Sequence, residues 1–136
     1  MIKRLALLFL ISFVLSGCVP QLGGGSTGGK DEYTAGAFAP GFPPVPLYKG
    51  AQVVESYGFN SKFGASLVTG DGLSQVTKFY SESLPALGWN TSVSATRANS
   101  FTFNIKNQTQ QGTVIVNTAA DGKMTAITIS VLPIAQ

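Results

Sequence analysis

The chain is expected to fold as an α+β domain, an antiparallel sheet of about six strands covered on one face by a single helix, in the order ββαββββ. Three observations point there. Apolar residues recur at helical spacing in one stretch only, Leu73 to Leu87. Elsewhere they alternate with polar residues at period two, the mark of a strand with one buried and one open face. The connections between patterned stretches are short, which makes neighbouring strands antiparallel.

The first two strands are Ala51 to Tyr57 and Lys62 to Thr69, joined by a polar, glycine-containing turn into a hairpin. In the helix, Leu73, Val76, Tyr80, Leu84 and Leu87 are separated by 3, 4, 4 and 3 residues, with Phe79 beside them, so one face carries an apolar stripe. Asp71 or Gly72 caps its start, and Gly88 supplies a left-handed residue past its end. Pro85 lacks the amide that would bond the Ser81 carbonyl and biases Leu84 away from helical angles, so the helix is expected to end near Ser83. Four strands follow, marked by Trp89, Thr91 and Val93, by Phe101, Phe103 and Ile105, by Val114 and Val116, and by Ile127, Ile129 and Val131. Asp121-Gly122 provides the positive φ of a tight turn between the last two. The alternation leaves one sheet face open, and the sole helix is expected to cover the other.

Composition narrows the chemistry. The chain has 136 residues, 44% of them hydrophobic and 11% charged, with one Cys and no His. Without imidazole, the usual general base, the usual zinc ligand and the His-dependent triads are all missing. No catalytic residue, metal or cofactor is therefore expected. The domain's carboxylates, Glu55, Asp71, Glu82 and Asp121, each have a structural reading: a strand residue beside Ser56, a helix start, a helix-surface partner for Lys78 and a turn. Lys and Arg residues beyond the N-terminus occur singly, so no basic stripe exists to follow phosphates, and no nucleic acid is expected as a partner.

The N-terminus carries an address. Met1-Ile2-Lys3-Arg4 is a basic start, and Leu5 to Leu15 is an apolar run of eleven residues broken only by Ser12, a secretory signal peptide over residues 1–17. A helix needs about 20 apolar residues to span a bilayer, so this run is too short to do so. Leu15-Ser16-Gly17-Cys18 resembles the lipobox of bacterial lipoproteins. The resemblance implies cleavage between Gly17 and Cys18, a diacylglyceryl thioether on the Cys18 sulfur and acylation of its freed amine, the two-chain arrangement that anchors stably. Val19, where inner-membrane lipoproteins often have Asp, implies the periplasmic face of the outer membrane. Cleavage leaves seven basic and six acidic side chains, so the net charge of +3 falls to about +1.

Residues 18–43 then read as a glycine- and proline-rich tether, with Gly23-Gly24-Gly25-Ser26-Thr27-Gly28-Gly29 followed by Pro40-Gly41-Phe42-Pro43. Twenty-five such residues have a root-mean-square reach of roughly 25 to 30 Å. Tyr33, Phe38 and Phe42 stand out in it, and either dock onto the domain or a partner or belong to the linker that the composition suggests. The folded unit is then 44–136.

Two further stretches carry a second resemblance. Pro46-Leu47-Tyr48-Lys49-Gly50-Ala51 and Phe79-Tyr80-Ser81-Glu82-Ser83-Leu84-Pro85-Ala86-Leu87-Gly88-Trp89 resemble a P-x-Y-x-G-A and F-Y-x-x-x-L-x-x-x-G-W pattern of small bacterial envelope lipoproteins of unassigned function. More distantly, the arrangement is similar to small domains of accessory lipoproteins in outer-membrane protein assembly. Both likenesses imply a fold and attach no activity. Together with the lipobox they give the expectation of a non-enzymatic, lipid-anchored recognition or assembly accessory, its partners the bilayer through Cys18 and another envelope protein. The aromatics Phe79, Tyr80, Trp89, Phe101 and Phe103 are either core or, if the cleft between helix and sheet stays unfilled, the lining of an apolar groove for a small molecule or lipid tail.

Overall fold

The structure is a computed structural model that describes residues 32–135; the expected signal peptide over 1–17, Cys18 and the chain up to Asp31 lie outside the described residues. Seven strands and one helix follow in the order β1 (Glu32–Ala35), β2 (Gln52–Phe59), β3 (Lys62–Thr69), α1 (Leu73–Ala86), β4 (Asn90–Arg97), β5 (Ser100–Lys106), β6 (Gln110–Thr118) and β7 (Thr125–Pro133). All pair antiparallel in one sheet of order β1-β2-β3-β7-β6-β5-β4. β3 and β4 therefore run parallel with three strands between them. The helix makes that crossover, and the β4-β5-β6-β7 meander returns to pair with β3.

Local sequence explains the joints. Between β2 and β3, Asn60 and Ser61 both take positive φ, 47° and 60°, as mirror-image hairpin turns require. Between β6 and β7, Gly122 sits at φ 69°, while the Asp121 carboxylate accepts the Lys123 and Met124 amides at 2.9 Å each. Gly72 is the helix N-cap, without a side-chain hydrogen bond. Pro85 does not end the helix. Its missing amide frees only the carbonyl of exposed Ser81, while the Leu87, Gly88 and Trp89 amides close the last turn on Ser83, Pro85 and Leu84, with Gly88 at φ 86°. The helix thus runs three residues past the expected stop.

The strand count corrects the expectation of about six. β1 lies in the stretch that composition assigns to the tether, and it pairs with β2 from Glu32 opposite Gly58 to Ala35 opposite Glu55. Among the described residues the sheet thus includes Glu32–Ala35, which lie before the Pro44 boundary expected from composition. Residues between β1 and β2 also share the helix's expected task. Val76, Tyr80 and Leu84 of α1 pack against the β4, β5 and β6 side of the sheet. Ala39, Phe42, Val45 and Tyr48 cover the β2 and β3 side, with the Phe42 ring edge-on to Phe63 at 5.7 Å. Ser56, buried on β2, fixes this strap: its hydroxyl accepts the Ala39 amide and donates to the Ala37 carbonyl at 3.0 Å. A helix of 14 residues cannot roof seven strands, and isolated aromatics on a proline-rich strap bury the remainder.

Candidate functional site

The two motif stretches meet in space. Phe79 stands edge-on to Tyr48 at 5.2 Å and to Tyr80 at 5.1 Å. The Trp89 indole donates to the Pro44 carbonyl at 3.2 Å. The Tyr48 hydroxyl donates to the Asp71 carboxylate at 2.7 Å, and this bond to an anion raises the phenol above its ordinary pKa of 10.0. Thr125 donates its hydroxyl to the Asp71 carbonyl at 2.7 Å, and the Asp71 amide donates to the Thr69 hydroxyl at 3.2 Å. Gly50 completes the cluster, since a Cβ there would lie 2.9 Å from the Asp71 carboxylate and 3.3 Å from the Tyr48 ring. Tyr48 with Phe79, and Pro44 with Trp89, thereby join the strap to the helix and to the residues that follow it.

The aromatic group of Phe79, Tyr80, Trp89, Phe101 and Phe103 is core. Tyr80, Phe103 and Trp89 are buried, with the Tyr80 and Phe103 rings 6.2 Å apart, and Phe79 and Phe101 pack half-buried against them. The groove expected if the cleft were unfilled is closed by these rings themselves. Phe101 borders a recess of about 510 Å³ between α1 and the β4–β5 turn, walled also by Leu73, Thr77, Lys78 and Ala98. The Tyr80 hydroxyl lies near the Tyr48 backbone but closes no hydrogen bond of regular geometry, and burial pushes its pKa far up.

The opposite face of the sheet carries no covering element among the described residues. One row crosses all seven strands, Tyr33, Tyr57, Gly64, Ser130, Thr113, Asn104 and Ser92, because each is in register with the next. Its two ends differ chemically. At the β4–β6 end, Asn90, Ser92, Asn104, Lys106, Gln111 and Thr113 line a shallow trough of about 560 Å³, walled by Leu132. Amides and hydroxyls with one ammonium group offer many donors and acceptors for a polar ligand or a peptide. At the β1–β2 end the row is aromatic. Both ends come from the solvent half of the strand alternation, where residue type is free of core packing. The only sequence signal was therefore an excess of Asn, Thr and Tyr at outward positions.

Chemistry at these places is limited. Among the described residues no group of three or more His, Cys, Asp or Glu comes together as metal ligands do, and no helix is long and apolar enough to cross a membrane. Lys78 and Glu82 pair at 3.9 Å on the exposed helix surface. Gly17 and Cys18, the expected cleavage and lipidation positions, lie outside the described residues. No family model, no curated protein and no solved structure matches this chain.

Proposed function

We propose that the protein is a lipid-anchored lipoprotein of a bacterial envelope, held by acyl chains on Cys18 at the periplasmic face of the outer membrane, whose domain is a non-enzymatic recognition or assembly accessory. The observation that carries the reading is Leu15-Ser16-Gly17-Cys18 directly after a basic and apolar leader. The domain suits the role because, among the described residues, nothing covers one face of its sheet and no strand pairs with the outer edge of the eight-residue β4.

The test has two parts. Cys18→Ala should abolish the mobility shift and detergent-phase partitioning of the mature chain; unchanged partitioning would remove the anchor from the proposal. A photocrosslinker at Ser92 or Asn104 in intact cells should capture one reproducible protein neighbour, and capture of none would count against an accessory role. A second reading, a module for a small apolar molecule, rests on the recess beside Phe101. Native mass spectrometry of the protein taken directly from cell extract would show a bound molecule if that reading holds.

A further inference from the structure

We infer that the exposed strip Tyr33, Tyr57 and Phe59 is a bilayer-docking surface, which lays the β1–β2 edge of the sheet on lipid headgroups beside the point where the chain from Cys18 enters the domain. This rests on the anchoring reading above. Of the eight exposed large hydrophobic side chains among the described residues, four come from β1 and β2: Tyr33 at 68%, Val54 at 49%, Tyr57 at 50% and Phe59 at 45%. Three of these share one face. Tyr33 is opposite Tyr57, and Phe59 follows two residues on, opposite Lys62.

The strip is built on a flat seat. The Tyr57 ring lies where a side chain on Gly64 would stand. One side of the ring is thereby pressed on backbone, and its remaining surface faces outward. The Tyr33 hydroxyl donates to the Glu55 carboxylate at 3.3 Å, and Lys62 stands beside Phe59. Among the described side chains the strip thus sets two tyrosines and a phenylalanine beside an ammonium group and the Glu55 carboxylate, and aromatic side chains of this kind are favoured at the headgroup level of a bilayer.

Chain length decides the occupant. Fourteen residue steps separate Cys18 from Glu32, at most about 50 Å when fully extended. Tyr33 is the next residue, so whatever path that segment takes, the strip stays at its root. Docking then becomes an intramolecular event, in which a weak aromatic contact gains a high effective concentration of lipid. A partner arriving from solution has no such advantage at this end of the sheet, whereas the trough between β4 and β6 lies at the far end and remains free for one.

The experiment uses the full chain purified from membranes and reconstituted in phosphatidylethanolamine and phosphatidylglycerol vesicles, with or without bromine on the acyl chains. Tyr57→Trp and Phe59→Trp are made separately, with Trp89 left as a buried internal baseline. The emission added by either substitution should be lost to bromine quenching, while that of Trp89 in the unaltered chain should not change. Added emission unaffected by bromine in a folded variant overturns the proposal, as does a blue shift of the new indole that grows with protein concentration instead, the mark of a second copy on the strip. Phe59 has no glycine seat to fit, so its variant decides if Tyr57→Trp does not fold. The mass of the N-terminal peptide reports acylation separately. Quenching without acylation would sink the anchor and keep the docking surface, and acylation without quenching would do the reverse.

Discussion

Tyr48 donates a 2.7 Å hydrogen bond to Asp71, tying the strap that precedes β2 to the residue just before the helix N-cap. A carboxylate near a helix N-terminus is favoured by the exposed amides there, and the phenol holds it in place. Tyr48→Phe should therefore lower the thermal midpoint and leave the circular dichroism of the fold unchanged. Gly50→Ala should lower stability as well, because its methyl would press on that same carboxylate while the Tyr48 bond holds it in place. Chemical denaturation of both variants checks this, and a Gly50→Ala chain as stable as the parent would refute the crowding.

Ser56 tests whether the strap belongs to the domain. Ser56→Ala leaves the Ala39 amide without its acceptor, and should destabilise by about 1–3 kcal/mol. Hydrogen exchange should quicken at Ala39 before it quickens in β7. A chain begun at Pro44 should go further, exposing Phe63 and losing β1, and is expected to be much less stable than one begun at Glu32.

The buried Tyr80 hydroxyl predicts an inverted result. Tyr80→Phe removes a polar atom that has no regular partner, so stability at neutral pH should be unchanged or higher. In the parent protein, burial raises the Tyr80 pKa above the ordinary 10.0. The stability it contributes is fully present below that ordinary value and is lost as pH rises towards the folded value, at about 1.4 kcal/mol per pH unit. Tyr48 is raised as well and acts in the same direction. Unfolding curves taken from pH 8 upward should thus fall less steeply in Tyr80→Phe, and Tyr48 adds to whatever slope remains.

Asp121 sets an acid limb. The Met124 and Lys123 amides lower its pKa below the ordinary 3.8, so its contribution is present above that value and is lost as pH falls through the depressed one. Asp121→Asn keeps the acceptor oxygen and should stay close to the parent at neutral pH, whereas Asp121→Ala should melt lower. That gap between parent and Ala variant should close as the pH is taken below the depressed pKa.

Legibility in the sequence followed the physics of burial. The helix was readable from Val76, Tyr80 and Leu84, and six strands from their alternation, because a face packed on a core fixes residue type at a regular period. β1 was not readable, since Glu-Tyr-Thr-Ala is too short to show a period and sits among glycines and prolines. The strap shares that disguise: Ala39, Phe42, Val45 and Tyr48 bury their side chains without any repeating geometry. Pro85 misled about the helix end because the rule concerns a lost hydrogen bond, and here the orphaned carbonyl belongs to exposed Ser81. For the candidate site, the resemblance of Leu15-Ser16-Gly17-Cys18 to a lipobox rests on four contiguous residues that lie outside the described ones. The aromatic strip was not legible, because Tyr33, Tyr57 and Phe59 become neighbours only through the β1–β2 register.

The position of β7 in the middle of the sheet has a consequence for how the chain is born. β7 joins β1-β2-β3 to β4-β5-β6, and its partners on β3 lie some sixty residues upstream, as Ala65 and Ile129 do. A polypeptide emerging N-terminus first therefore holds two incomplete half-sheets until residues 125–133 have appeared, and the late strand must slot between them. Premature closure of the sheet is thus denied by topology.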